Sequence, residues 1–266
     1  AIDSEGFDQV PERFALRTND PDGASIATLS GTAELALTTW FSIDGLVRYR
    51  EATSEFDTFS GGTTFSLRAD DPDLEVDLDR YTVWRVGAEA RPSPSFGARV
   101  AYGRVDNERA ETNGGVRTSS AEGQRDFADA ILTFTPTGDG LFRNPALSTG
   151  VQWYEETISV PATAFAGALN RSEGNTGVFV VAQSGIGSLF DATASVRLDN
   201  NDAFGRDTTY NVGLVHQLDW LLGRPARLTG AYGTSYKAPT LNERFSTSAF
   251  NVGNPGLLPE EGRTVE

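Results

Sequence analysis

Apolar and polar residues alternate along most of this chain with a period of two. Ala27, Leu29, Ala33, Leu35 and Leu37 fall on one side of an extended segment, with Thr28, Ser30, Thr32 and Glu34 on the other. That is the repeat of a strand, whose successive side chains point to opposite faces. After a tight connection at Thr38–Trp40, Phe41, Ile43, Val47 and Tyr49 oppose Ser42, Asp44, Arg48 and Arg50. The same alternation starts again near Thr82, Phe96, Ala128, Thr149, Tyr210 and Leu228, with a less regular strand over 176–183. Its cleanest form sets Phe190, Ala192, Ala194, Val196 and Leu198 against Asp191, Thr193, Ser195, Arg197 and Asp199. Helical periodicity is nearly absent. The pattern predicts about ten strands and an all-β chain.

The connections alternate in length. Short ones are expected at Thr38–Trp40, Arg91–Ser95, Ser184–Gly187 and Asp219–Pro225, with 136–145 somewhat longer. Long polar ones are expected at Glu51–Asp77, Asp106–Gln124, Glu156–Gly174 and Ala238–Leu258. In an antiparallel meander every second connection lies at the same end, so the short turns share one rim and the long loops the other. This asymmetry predicts an up-and-down transmembrane β-barrel with short periplasmic turns and long extracellular loops. A soluble sandwich would also put charges toward water, but has no reason to sort its connections by length. Trp40, Phe41, Phe96, Phe190 and Trp220 lie beside short turns, the level of a membrane–water boundary. Ordinary core packing is the other reading of these aromatics.

Composition narrows the chemistry. A net charge of −15 argues against a nucleic-acid partner, which calls for a basic surface. No apolar run approaches the length of a membrane-spanning helix; the longest is Val178–Ala182. A barrel is untouched by that test, because its strands need only one apolar face. The chain has no Cys, and its one histidine, His216, is expected to be a polar side chain near a strand end. No nucleophile–base set or phosphate-binding glycine loop stands out, and Glu155 and Glu156 are strand neighbours that point apart. No catalytic residue is assigned, and no enzyme activity is expected.

The segment from Gly230 onward is more specific. Tyr236-Lys237-Ala238-Pro239-Thr240-Leu241-Asn242-Glu243 is followed by Gly253-Asn254-Pro255-Gly256-Leu257-Leu258-Pro259-Glu260. This pair of phrases resembles a hallmark of TonB-dependent outer-membrane receptors. Ser195–Tyr210, Gly6-Phe7-Asp8, Asn19–Gly23 and Glu55-Phe56-Asp57 resemble consecutive hairpins of the cobalamin (vitamin B12) receptor branch. The resemblance runs through nearly the whole chain. It implies a receptor of the Gram-negative outer membrane that takes up a large scarce nutrient, cobalamin foremost. A siderophore receptor is the first alternative, and a passive porin or other outer-membrane barrel the second. A haem receptor is disfavoured, since no histidine lies between Pro239 and Asn254. The motif loop comprises Lys237, Ala238, Pro239, Asn254, Pro255, Pro259 and Glu260.

Members of that family carry a plug domain, a TonB box and a barrel of about 22 strands. With no Met and about ten strands, residues 1–266 are expected to form part of such a barrel, lacking the plug and the C-terminal strands. The resemblance further implies a TonB complex reached through the plug, and lipid around the barrel. It also implies calcium in the first long loops, held by Asp8, Asp20, Asp22, Asp57 and Asp77. Calcium takes six to eight hard oxygen ligands, so carboxylates from adjacent loops are suitable donors. A solvated acidic loop, with Asp70, Asp71, Asp73 and Asp79 beside Asp77, is the alternative.

Overall fold

The computed structural model describes residues 2–7, 22–56, 59–60, 66–67, 75–137, 140–164, 166–218, 221, 223–249 and 251–266. Twelve strands form one antiparallel sheet in almost pure sequence order. Ten are long: β2 (Asp22–Ala36), β3 (Phe41–Glu55), β6 (Glu75–Ser93), β7 (Phe96–Asn113), β8 (Val116–Phe134), β9 (Phe142–Val160), β10 (Leu169–Ile186), β11 (Phe190–Asn201), β12 (Gly205–Gln217) and β13 (Arg227–Lys237). Short strands β1 (Ile2–Phe7) and β16 (Glu260–Val265) flank them, so the sheet is open at both edges. Within the loops, β4 (Phe59–Ser60) pairs with β5 (Ser66–Leu67), and β14 (Thr247–Ser248) with β15 (Asn251–Val252). The ten-strand expectation and the meander order both hold.

Register carries each strand's alternation across the whole sheet, because residues directly opposite share a face. Ile43 sits opposite Ala88, which sits opposite Val100, and the row continues through Ala130, Val151, Val178 and Leu198. One residue along, Asp44 opposes Gly87 and Arg85 joins Asp44 in an ion pair on the other face. Among the described residues, nothing covers the apolar rows. Leu35 is 55% exposed, Val100 53% and Val212 52%, and the buried apolar residues are only Ala101, Ala110, Leu169 and Leu241 among the described residues. Covering a large aliphatic side chain is worth about 1.5–3 kcal/mol, so a continuous bare band of them requires an apolar surrounding. A sandwich is ruled out, since it would bury these rows against a second sheet.

The band has aromatic edges. At the short-turn rim, Trp40 and Phe41 lie 5.8 Å apart, and Phe190 stacks on His216 at 4.4 Å. His216 also contacts the Leu189 carbonyl through Nδ1 at 3.2 Å, in line with a structural histidine near a strand end. At the other rim Trp84 meets Tyr102 at 5.6 Å and Tyr210 meets Tyr232 at 5.8 Å. On β3 Tyr49 stands eight positions beyond Phe41. With about 3.4 Å per residue and a tilt near 40° that is roughly 20 Å of height, close to the apolar band of an outer-membrane barrel. Trp220 lies outside the described residues.

The long-loop rim differs from expectation. The segment 106–124 is no loop: β7 and β8 run on as a hairpin that turns at Gly114 and Gly115, with φ of +58° and +77°. Two consecutive left-handed residues suit a tight hairpin, and glycine adopts them without strain. Likewise β3 persists to Glu55, β6 starts at Glu75, and β9 and β10 reach Val160 and Leu169. The wall therefore rises well above the apolar band. In these extensions polar residues stand on both faces and apolar ones such as Val76, Leu78, Ile158 and Leu169 are scattered among them, so the alternation that marks a strand weakens while the hydrogen-bonded ladder continues.

Candidate functional site

The mouth loop between β13 and β16 is folded, and its two motif phrases hold each other. Pro239 ends the β13 ladder, since it has no N–H to donate. Thr240 then caps a single helical turn, Leu241–Phe245. Its hydroxyl accepts the Glu243 N–H at 3.2 Å, and Glu243 Oε2 accepts the Thr240 N–H at 2.8 Å. This reciprocal pair is a capping box. The N–H of Thr240 holds the Glu243 carboxyl below its ordinary value, with the Thr240 hydroxyl helping.

The second phrase returns across that turn. The Asn254 N–H donates to the Glu243 carbonyl at 2.9 Å and the Gly253 N–H to the Ser246 carbonyl at 2.8 Å. A Cβ on Gly253 would stand 2.5 Å from the Ser246 nitrogen and 2.6 Å from that of Phe245, so only glycine fits. Asn254-Pro255-Gly256-Leu257 forms a β-turn closed by the Leu257 N–H on the Asn254 carbonyl at 3.1 Å. Beyond Pro259, Glu260 pairs with Lys237 to shut the neck. Lys237, Ala238, Pro239, Asn254, Pro255, Pro259 and Glu260 are thus brought together as the neck and clasp of one loop.

The loop docks on its neighbours through Arg244. Its guanidinium forms an ion pair with Glu173 of β10, and the two side chains are only 11% and 13% exposed. Asn201 Nδ2 donates to the other Glu173 oxygen at 2.9 Å. The Asn201 side-chain oxygen also accepts the N–H groups of Ala203 and Phe204, at 2.9 and 3.0 Å. Arg244 lies over the rings of Phe204 and Phe245, 4.6 Å from each. Thr247 Oγ1 donates to the Gly167 carbonyl, and Ser248 bridges to Ala166. Three neighbouring connections are therefore joined at the mouth. Removing one partner of such a pair would leave the other charge buried and without its counter-charge.

Below the mouth, the lumenal face is a wall of paired charges. Arg197 makes a fork to Asp199 at 2.7 and 2.8 Å and donates to Gln152 at 2.5 Å, while Asn175 donates to Asp199 at 2.7 Å. A Cβ on Gly177 would collide with Arg197 Nη2, so this glycine makes room for the guanidinium. Arg125 stands 4.0 Å over the Tyr154 ring and pairs with Glu156 at 2.9 Å. The wall presents hydrogen-bonding groups held in fixed positions with most charges locally balanced.

Of the expected calcium ligands, Asp8, Asp20 and Asp57 lie outside the described residues. Asp22 sits at the start of β2 opposite Phe7, and Asp77 on β6. Ala24 opposes Ser54 and Ser54 opposes Asp77, which places Asp22 and Asp77 on the same, lumenal face. Both Asp77 oxygens are engaged by Arg109, at 2.7 and 3.2 Å. No group of three or more metal-ligating side chains occurs among the described residues. These two carboxylates alone do not make a calcium cage, and Asp77 would have to exchange its arginine for the ion.

The docking residues Arg244, Glu173 and Asn201 were not singled out by sequence. Glu173 and Arg244 are 71 residues apart, and no local pattern links them. The capping box was written in the order Thr-x-x-Glu at Thr240 and Glu243.

The model of the TonB-dependent receptor-like β-barrel matches residues 5–266. This chain belongs to the TonB-dependent receptor β-barrel family. Its place is the outer membrane of a Gram-negative bacterium, and its family consists of transporters, not enzymes. Over 128 residues it is 30% identical to the vitamin B12 transporter BtuB of Photobacterium profundum, which is 48% of this chain and 19% of that protein. In structure it is similar to the siderophore receptor PirA from Pseudomonas aeruginosa, with TM-score 0.71 and 14% identity over 93% of this chain and 43% of that one. It also matches the RagAB peptide importer, with TM-score 0.61 and 12% identity over 92% of this chain and 38% of that one. The chain thus spans less than half the length of these relatives. The structural likenesses establish the TonB-dependent receptor barrel as its fold.

Proposed function

We propose that this barrel belongs to a receptor for the TonB-dependent uptake of a large scarce nutrient, with cobalamin the foremost candidate. The observation that carries the reading is the mouth loop: its family motif folds into a clasp and is docked by Arg244 over a lumen lined with fixed polar groups. A wide polar lumen suits a bulky solute rich in amides and carboxylates, and a folded mouth loop can contribute to its capture. Energy for release would come from the TonB complex through a plug domain. Cobalamin is favoured by the sequence likeness to the vitamin B12 transporter. Siderophore and peptide receptors share the fold, so a ferric chelate is the competing substrate.

Calcium belongs to the same proposal. Asp8, Asp20, Asp22 and Asp57, with Asp77 released from Arg109, would supply oxygen ligands that order the first loops. The test is equilibrium binding of cyanocobalamin and of a ferric siderophore to the intact receptor, with calcium and with chelator. The expected result is saturable cobalamin binding that weakens on chelation and in the Asp20→Ala/Asp22→Ala variant. Binding of the ferric siderophore alone would replace cobalamin as substrate. Cobalamin binding indifferent to chelator would remove the metal and leave the substrate.

A further inference from the structure

The rim of the mouth is uneven. β9 and β10 run for 19 and 18 residues, whereas β11 and β12 stop after 12 and 13. β11 ends at Asn201, opposite Asn175, while β10 continues upward to Leu169. The low β11–β12 turn therefore leaves a notch beside the tall edge of β10, and the motif loop lies in that notch. Its neck is closed by Lys237 opposite Glu260, and its helical turn is tied to β10 by the Arg244–Glu173 ion pair. Arg244 also covers the Phe204 ring of the low turn at 4.6 Å. The Phe245 ring receives Arg244 at 4.6 Å and Arg171 of β10 at 5.5 Å. Farther on, the Thr247 hydroxyl and the Ser248–Ala166 bridge fasten the loop to the β9–β10 connection.

Burial singles out the same corner. The wall is one layer thick, and its buried apolar side chains among the described residues are Ala101, Ala110, Leu169 and Leu241. The two large ones open β10 and the helical turn of the loop. The buried polar residues, Asn175 and Asn201, face each other across β10 and β11 just below.

We infer that the motif loop is a fixed strut of the mouth, with Arg244 as its positioning residue, and that the nutrient meets it as a preformed surface. A lid hinged at the neck would have to break every anchor at once, because all of them lie on the short segment Thr240–Ser248. Opening would separate Arg244 from Glu173, two charges largely withdrawn from water, and would bare Leu241 and the aromatic rings. A surface already in place binds without the cost of ordering a loop. The parts of the rim that move during capture then lie elsewhere. What the strut serves rests on the proposed uptake role, whereas its pinning does not.

Residues 1–266 contain no cysteine, so the loop can be pinned covalently in the intact receptor. Ala166 and Ser248 form an antiparallel bridge. Such partners stand about 4.5–5.5 Å apart at Cα, within reach of a disulfide. Oxidised Ala166→Cys/Ser248→Cys should bind and take up cyanocobalamin like the wild type. Arg244→Ala should speed amide exchange over 238–259 about ten- to hundred-fold and weaken cyanocobalamin binding, with heat-modifiable gel mobility as the sign of a folded barrel. Adding the oxidised bridge to Arg244→Ala should restore both, and reduction should abolish the rescue. Rescue by a bridge without charge separates positioning from a direct ionic contact with the nutrient. Uptake blocked by the oxidised bridge alone and released by reductant would overturn the inference and make the loop a lid. Unchanged exchange in Arg244→Ala would also overturn it. Failure of the wild type to bind cyanocobalamin would strike the proposed substrate only, since the exchange measurement needs no ligand and still decides the pinning.

Discussion

The two faces of β11 show what one residue step does in this protein. Phe190, Ala192, Ala194, Val196 and Leu198 stand toward the bilayer, with Ala194, Val196 and Leu198 exposed. Asp191, Thr193, Ser195, Arg197 and Asp199 point into the lumen, where Arg197 and Asp199 are tied to each other and to Gln152 and Asn175. Backbone, hydrogen-bonded neighbours and height are shared; only the surrounding differs. Stability on one face comes from matching a hydrocarbon solvent. On the other it comes from polar groups that satisfy one another, and substitutions should separate the two.

The largest effect is expected from a charge on the outward face. Val196→Arg should cost about 2–4 kcal/mol if it lies near the bilayer midplane, measured by urea unfolding from lipid vesicles. Ser195→Arg, one position away, should cost far less, since a lumenal arginine stays hydrated. Equal penalties would erase the distinction between the faces.

Next comes the lumenal end of the polar network. Glu173→Gln leaves Arg244 without its counter-charge and should cost about 1–3 kcal/mol. The loss should be confined to the mouth: amide exchange speeds up over 238–259 while the outward rows keep their protection. A smaller effect of the same kind is expected from Thr240→Ala, about 1 kcal/mol for a lost helix cap, read from the same amides.

The smallest effect is that of pH on the capping box. Glu243 titrates below its ordinary value of 4.5 in the folded loop. A carboxyl lowered on folding contributes stability that is full above its unfolded value and fades as pH falls through the folded one. Loop protection should therefore be flat above about pH 6 and decline under acid conditions, and Glu243→Gln should flatten that decline.

The contrast between faces also explains what was legible in the sequence. Where one face meets lipid and the other the lumen, period two is visible, and the ten long strands follow from it. In the β7–β8 hairpin beyond Asp106 both faces are polar: Asp106 and Glu108 point out, Asn107 and Arg109 point in. Alternation weakens there, so 106–124 reads as a long loop, and the one signal of the hairpin, Asn113-Gly114-Gly115, went unused. The motif loop was legible as words, while its fold depended on contacts from Arg244 to Glu173 that only the folded meander creates. The aspartates were proposed by family likeness, and Asp77 turned out to be partnered by Arg109, a pairing set by register between β6 and β7.

The chain contains no cysteine, which permits the most direct measurement. Single cysteines placed in turn at residues 190–199, each carrying a fluorophore, would be exposed in vesicles to a lipid-confined quencher. Strong quenching at Ala192, Ala194, Val196 and Leu198, with weak quenching at Thr193, Ser195 and Arg197, is the predicted result. Uniform quenching, or shielding of the even-numbered positions from lipid, would contradict it.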